Sequence, residues 1–107
     1  MYSQKIRFQK NNKKVELYDV TIYQTPRIGE KRGYRPVYRL HVKGKNHGDV
    51  LANVFAKLNV ADTTPADYRA RYISTGDIVL IDEGIKGKMY YKLCIGGWEK
   101  IHRMYVC

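Results

Sequence analysis

The sequence has few of the residues that build disulfide-stapled or metal-binding proteins. Its only cysteines are Cys94 and Cys107, and they form neither a C-x-x-C motif nor the set of a secreted disulfide framework. Its three histidines are not spaced with cysteines or carboxylates in the way that metal ligands are. We therefore expect free thiols and no metal site.

Long apolar runs are also missing. The first residues, Met1 to Arg7, lack the apolar stretch of a signal peptide. No run approaches the roughly 20 apolar residues that cross a bilayer. These absences predict a cytoplasmic protein without a membrane role.

Motifs of common enzyme classes are absent as well. None of the glycine-rich turns matches the G-x-x-x-x-G-K-[ST] pattern that holds nucleotide phosphates. Cys94 with His41 or His102 is a candidate for a thiol activated by an imidazole. The spacing of these residues in the sequence does not support this site. A cysteine inside a strand is more often a small packing residue. The sequence predicts a protein that is not an enzyme and needs no cofactor.

What the sequence has in excess is positive charge. Its 107 residues carry 20 Lys and Arg against 10 Asp and Glu, a formal net charge of +10. Residues 1–45 hold twelve of these cations and three of the acids, whereas residues 46–107 hold eight and seven. A field of this sign attracts phosphates or an acidic protein surface. The N-terminal half of the chain is therefore predicted to bind a polyanion.

Length and composition predict one folded domain. An apolar fraction of 44% is enough for a packed core, and 107 residues are too few for two. We expect residues 1–107 to form this single domain. Basic strands and a loop would cover 1–45, a helix 49–58, and a three-stranded meander 76–105.

Apolar residues that alternate with polar ones predict up to six strands. These cover residues 5–9, 15–25, 37–43, 78–81, 88–95 and 98–104. The apolar phase slips by one at Leu17 and Tyr18, which predicts a bulge or a bend there. Apolar spacing over residues 49–58 predicts a helix. Thr64-Pro65-Ala66-Asp67 has the layout of a capping box and predicts a second, short helix or turn through residue 70.

The predicted fold class is α+β. Its sheet is antiparallel, curved and built of five or six strands, either open or barrel-like, because each strand is followed by turn residues. One main helix and one short helix are inserted between strands three and four.

Cations cluster in a loop over residues 25–36 and on the strand that follows it. With the tip of the first predicted hairpin, these residues form a candidate surface for nucleic acid or another partner. Its members are Arg27, Lys31, Arg32, Tyr34, Arg35, Arg39, His41, Lys43, Lys45, Lys10, Lys13 and Lys14. Such a surface suits a phosphate backbone, with Tyr34 stacking on a base. The alternative is a solvated basic face that keeps edge strands from aggregating.

Tyrosine is frequent, with ten in the chain. Most of these tyrosines fit strands by propensity alone, although tyrosine is also enriched at binding surfaces. Tyr34 and Trp98 each lie next to a glycine and are the predicted exposed aromatics.

The order of the segments resembles a known family. A helix with Asp49-Val50-Leu51-Ala52-Asn53-Val54-Phe55 is followed by Pro65-Ala66-Asp67-Tyr68, then Arg71-Tyr72-Ile73-Ser74-Thr75-Gly76-Asp77, then Tyr90-Tyr91 and Gly97-Trp98-Glu99-Lys100. This order is similar to that of the YodL-like domain over about residues 36–103. The resemblance implies an origin in phages, prophages or conjugative elements of Gram-positive bacteria, and it implies no catalytic activity.

Two functions fit these observations. In the first, a small basic mobile-element protein binds DNA, RNA or a nucleoprotein through its cationic surface. In the second, the protein inhibits a host defence system, such as an RNA-guided nuclease, by binding the protein itself in an anti-CRISPR-like manner. Survival of the interaction after nuclease treatment would separate the two.

Overall fold

The computed structural model describes residues 14–103 and 106. This part of the chain forms an α+β fold, as predicted from the sequence. In chain order its elements are β1 (Glu16–Gln24), β2 (Arg35–Gly44), α1 (His47–Leu58), β3 (Ile78–Asp82), a 3-10 helix (Gly84–Lys86), β4 (Lys88–Cys94) and β5 (Gly97–Ile101). The predicted strand over residues 5–9 lies outside the described residues.

The strands form one curved antiparallel sheet in the order β2-β1-β3-β4-β5. Among the described residues β2 and β5 are its two edges, so the sheet is open and the barrel-like alternative is not formed. Strand β3 lies in the middle, and its apolar residues from Ile78 to Ile81 are all buried. A central strand with both faces covered explains why its sequence shows no alternation.

Strand β1 places every second residue in the core. Tyr18, Val20 and Ile22 are buried, whereas Leu17 is 61% exposed. The predicted bulge at Leu17 and Tyr18 is wrong, because Leu17 lies on the outer face opposite Lys43. The register shift between β1 and β2 falls instead at Ile22 and Tyr23.

Helix α1 covers the inner face of the sheet. It begins two residues before the predicted start, because the Asn46 side chain accepts a 2.9 Å hydrogen bond from the Asp49 backbone and caps the first turn. Its buried residues are Val50, Leu51, Val54 and Leu58. No helix in the described residues has the length and apolarity to cross a membrane.

Of the two alternatives predicted over residues 64–70, the short helix is not formed and the turn is. Turns occupy this stretch instead, because the groups of the presumed capping box are used elsewhere. The Thr64 hydroxyl donates a 2.8 Å hydrogen bond to the Val60 carbonyl, just beyond the end of α1. The Asp67 carboxylate accepts a 2.6 Å hydrogen bond from the Tyr38 hydroxyl.

Candidate nucleic-acid interface

The loop between β1 and β2, residues 25–34, folds back on itself at its start. The Thr25 hydroxyl donates a 2.6 Å hydrogen bond to the Arg27 carbonyl, and the Arg27 backbone N–H donates to the Glu30 carboxylate at 3.0 Å. Arg27, Lys31 and Arg32 are all exposed. The loop therefore exposes three cationic side chains, and hydrogen bonds within the loop hold the backbone at its start.

Tyr34 ties the end of this loop to the turn before β3. Its hydroxyl donates a 2.6 Å hydrogen bond to the Gly76 carbonyl, and its ring is half-buried. Burial, and then the Asp77 carboxylate, raise the pKa of Tyr34 above its ordinary value. Tyr34 is thus held in place by its hydroxyl, with part of its ring accessible.

A buried polar network anchors the start of the loop. Asp77 is 2% exposed and accepts hydrogen bonds of 2.9 Å from the Gln24 amide and from the Ser74 backbone N–H. Arg71 donates to the Thr25 carbonyl at 2.7 Å and lies 3.4 Å from Asp77. A buried carboxylate requires such partners, and together they join residues 71–77 to the end of β1.

On one side of the loop lies a depression lined by three arginines. Its volume is about 380 Å³, and Arg35, Arg69 and Arg71 share it with uncharged residues. Arg35 belongs to the predicted surface. Arg69 and Arg71 come from the connection between α1 and β3.

On the other side lies a second depression, of about 410 Å³. Tyr34 and Ile78 form part of its wall, and Lys31, Lys92 and Lys100 bring positive charge to it. Glu99 is the one acid in its wall within the part of the chain that the structure describes. Lys92 and Lys100 come from β4 and β5.

The loop is thus bordered by cations from both halves of the chain. We call this set the loop surface: Arg27, Lys31, Arg32, Arg35, Arg69, Arg71, Lys92 and Lys100. Sequence reasoning missed the last four, because residues 46–107 are almost neutral in sum and only the tertiary contacts place these cations at the loop. The position of Lys92 on the polar face of its predicted strand was the one signal available.

The remaining predicted residues lie away from the loop. Arg39 is on the outer face of β2, where its guanidinium donates to the Asp19 carboxylate at 2.9 Å, and this hydrogen bond lowers the pKa of Asp19. His41 and Lys43 follow on the same face and are exposed. At about 3.3 Å per strand residue, Lys43 lies roughly 26 Å from Arg35. The predicted surface is therefore divided into two groups.

Four further lysines belong to the predicted surface, and the structure describes two of them. Lys45 is exposed between β2 and α1, where its backbone N–H donates to Asp49 at 3.1 Å. Lys14 is exposed ahead of β1. Lys10 and Lys13 lie outside the described residues.

Trp98 does not project from the surface as predicted. It is half-buried and packs against the hydrophobic core, opposite Leu93 in the pairing of β4 with β5. The glycine beside it allows the hairpin turn and does not expose the ring.

A second polar cluster, which sequence reasoning also missed, joins α1 to the sheet. The His47 Nδ1 atom lies 2.7 Å from the Tyr91 hydroxyl, and its Nε2 atom lies 2.9 Å from the Glu83 carboxylate. Burial, and then Glu83, raise the pKa of Tyr91. This direction favours the neutral phenol.

The candidate thiol lies far from His41. Cys94 ends β4, whereas His41 lies in β2, three strands away and level with Lys88 of β4. Three strand spacings alone are about 14 Å, and six residues along β4 add about 20 Å in the strand direction. Among the described residues there is also no group of three or more histidine, cysteine or acidic side chains that could hold a metal ion.

Comparison with known proteins extends the resemblance to nearly the whole chain. A family model described as the YodL-like domain matches residues 3–102, so the match begins well before residue 36. Over 89 residues the chain is 60% identical to a protein of Bacillus subtilis (strain 168) called "Uncharacterized protein YodL", covering 83% of this chain and 86% of that protein. No solved structure matches.

Proposed function

The chain belongs to the YodL-like domain family, and from the geometry of its site we propose that it binds DNA or RNA, free or in a nucleoprotein, through the loop surface. The protein acts in this proposal as a binding module, without a catalytic step. The observation that supports it most is the meeting of cations from both halves of the chain at one loop, with few acids among them.

The charges of the loop surface are suited to a phosphate backbone. Its arginines and lysines release counterions when they neutralise phosphates, and this release drives binding without regard to sequence. Glu30 and Glu99 are the acids beside them, and Glu30 accepts a hydrogen bond from the Arg27 backbone. Most of the positive charge at the loop is therefore available to a ligand.

The second depression provides room for a base. The Tyr34 ring forms part of its wall, and Ile78 and Ile101 add apolar surface. A flipped or single-stranded base can stack on such a ring, whereas a paired base cannot reach it. We therefore expect single strands to bind more tightly than duplexes.

The proposal is tested by measuring affinity for labelled single-stranded DNA, single-stranded RNA and duplex DNA over a series of salt concentrations. The triple variant R27Q/K31Q/R32Q removes three exposed cations of the loop. For a single strand, each phosphate that the variant no longer neutralises reduces the slope of log affinity against log salt by about 0.7. We expect a slope reduced by about two and an affinity at least tenfold lower.

The matched control is K57Q/K86Q/K88Q, which removes the same charge from exposed residues elsewhere. It is expected to keep the slope of the wild-type protein. Equal losses in the two variants would mean that net charge, and not the loop surface, is responsible. Absence of salt-sensitive binding to all three nucleic acids would end the proposal.

A second candidate function is inhibition of a host defence protein by direct contact. A groove of about 580 Å³ beside the edge strand β2 favours it. Leu17 and Val60, which line the groove, are 61% and 48% exposed, and exposed apolar residues of this kind mark protein contacts. The variant L17E/V60E should abolish a partner interaction that resists nuclease, and should leave nucleic-acid binding intact.

A further inference from the structure

The depression with three arginines differs from the rest of the loop surface in how its cations are held. Arg71 donates to the Thr25 carbonyl at 2.7 Å, and Arg69 donates to the Ala66 carbonyl at 2.7 Å. Arg35 is the first residue of β2, where its backbone pairs with Gln24. Because backbone carbonyls already position the Arg69 and Arg71 side chains, less conformational entropy is lost when these two bind a ligand.

The charges in this depression are only partly balanced. No carboxylate of the described residues lines it, and the nearby Asp77 is buried and shared between Gln24, Ser74 and Arg71. Like charges at close range repel each other. An anion in the depression would relieve this repulsion.

Arg71 also has an unused donor. Its Nε atom is buried and has no hydrogen-bond partner among the described residues. A buried donor without a partner is uncommon in native proteins and points to a missing ligand or solvent molecule. The planar guanidinium fork matches the oxygens of a phosphate in a bidentate geometry.

We propose that the depression lined by Arg35, Arg69 and Arg71 is a phosphate-binding subsite. That the phosphate belongs to a nucleic acid rests on the proposed function. Arg35 and Arg69 contact the phosphate in this assignment, and Arg71 contacts it while joining the subsite to the buried network around Asp77.

The test is a titration of the full-length protein with inorganic phosphate at constant ionic strength, balanced with chloride. Binding is followed through the Nε–H signals of the arginine side chains in nitrogen-15 correlation spectra. We expect saturable shifts of the Arg69 and Arg71 signals. Shifts that grow linearly with phosphate, or no shifts, would overturn the proposal.

Substitutions in the depression provide the second part of the test. R35Q and R69Q each remove charge-assisted hydrogen bonds and are expected to weaken phosphate binding about tenfold. The control R32Q removes one charge from the same loop outside the depression and should change the affinity less than twofold. If R32Q weakens binding as much as R69Q, the general field of the protein holds the phosphate and the subsite does not exist.

The variants R35K and R69K keep the charge and guard against loss of folding. Lysine lacks the planar fork, so each should still bind phosphate more weakly than the wild-type protein. Phosphate affinity equal to that of wild type would show that the guanidinium geometry plays no part, which contradicts the proposal. Arg71 is not substituted, because its contacts also hold Thr25 and Asp77.

Oligonucleotides distinguish the source of the phosphate. A strong preference for a 5′-phosphorylated strand over its 5′-hydroxyl form, lost in R69Q, identifies a terminal phosphate, and equal affinities that both fall in R69Q identify a backbone phosphate. Phosphate binding that depends on Arg69 without any oligonucleotide binding would keep the subsite and end the proposed function. Oligonucleotide binding that R69Q leaves unchanged would keep the proposed function and end the assignment of this subsite to a nucleic-acid phosphate.

Discussion

Gly44 lies where β2 comes closest to the first turn of α1. A Cβ atom added at this position would lie 2.7 Å from the Val50 Cγ2 atom and 3.0 Å from the Val50 backbone nitrogen. Because backbone cannot move away as easily as a flexible side chain, this contact requires a residue without a Cβ atom. The close approach places α1 against the sheet.

We predict that Gly44→Ala lowers the free energy of unfolding by about 1–3 kcal/mol, the usual cost of overpacking. The control is Gly96→Ala in the β4–β5 turn, where an added Cβ atom meets nothing within 4 Å and the change should stay within about 0.5 kcal/mol. Urea unfolding measures both. Equal stability of the two variants would contradict the packing described for Gly44.

Tyr68 is the residue from which we expect the clearest pH effect. Burial, and then Asp77, raise its pKa from 10.0 to about 12, and its hydroxyl donates to the Arg71 carbonyl. A raised pKa means that the folded protein holds this proton more tightly than the unfolded chain does. The corresponding stability is fully present below pH 10 and is lost between about pH 10 and 12.

We therefore predict that the free energy of unfolding falls above pH 10, and that it falls less steeply in Tyr68→Phe. The decline does not vanish in this variant, because burial also raises the pKa values of Tyr18, Tyr34 and Tyr91. Urea unfolding at intervals from pH 8 to pH 11 measures the effect. The control Tyr72→Phe removes a tyrosine that is 57% exposed. Its free energy of unfolding should fall above pH 10 as steeply as that of the wild-type protein. A Tyr68→Phe curve parallel to wild type would disprove the assignment.

At the scale of elements, the long connection between α1 and β3 depends on Asn59 at the end of the helix. Its side chain accepts a 2.7 Å hydrogen bond from the Ile73 backbone N–H and donates a 2.9 Å hydrogen bond to the Ile73 carbonyl. Ile73 is itself in the core, at 3% exposure. One side chain thus satisfies both backbone groups of a buried residue outside any strand.

We predict that Asn59→Ala costs about 2 kcal/mol, since two partly buried hydrogen bonds are removed and the Ile73 backbone is left without both partners. Asp62→Ala, an exposed change in the same connection, serves as the control and should have little effect. Chemical denaturation of both variants gives the comparison. A loss below about 0.5 kcal/mol for Asn59→Ala would show that water replaces the side chain.

This connection also shows why the short second helix was predicted wrongly. Thr64 and Asp67 have the spacing of a capping box, which is a local pattern, but their side chains bond to Val60 and Tyr38. The partner of Asp67 lies 29 positions away. A contact at this distance outweighs the weak preference of four residues for a helical turn.

At the scale of the whole molecule, stability should decrease from the centre of the sheet to its edges. Strands β1 and β3 have a neighbouring strand on both sides, and Val20, Ile22, Val79 and Ile81 have no exposed surface. Their amides become accessible to solvent only when most of the structure opens.

We predict that hydrogen exchange is slowest in β1 and β3, slower than in β5, and fastest in the loop over residues 25–34. Amide exchange followed by nuclear magnetic resonance, under conditions where the rate reports the opening free energy, provides the measurement. Exchange in the loop as slow as in β3 would mean that this loop is part of the core. The loop surface would then be more rigid than its exposure suggests.

The sequence by itself determined the α+β class, the antiparallel strands, the main helix and the excess of charge in residues 1–45. These properties follow from the spacing of neighbouring residues, because a strand or helix face repeats every few positions. At Leu17 the strand was predicted correctly, and only the face of the sheet on which its side chain lies was wrong.

Only the tertiary structure decided which charges lie together. Arg71 bonds to Thr25 across 46 positions, and Lys92 reaches the loop because β4 pairs with β3 and not with β2. Arg39, by contrast, is paired with Asp19 on the adjacent strand. The electric field around a group depends on distances in space, and the order of residues along the chain does not contain these distances until the strands have paired.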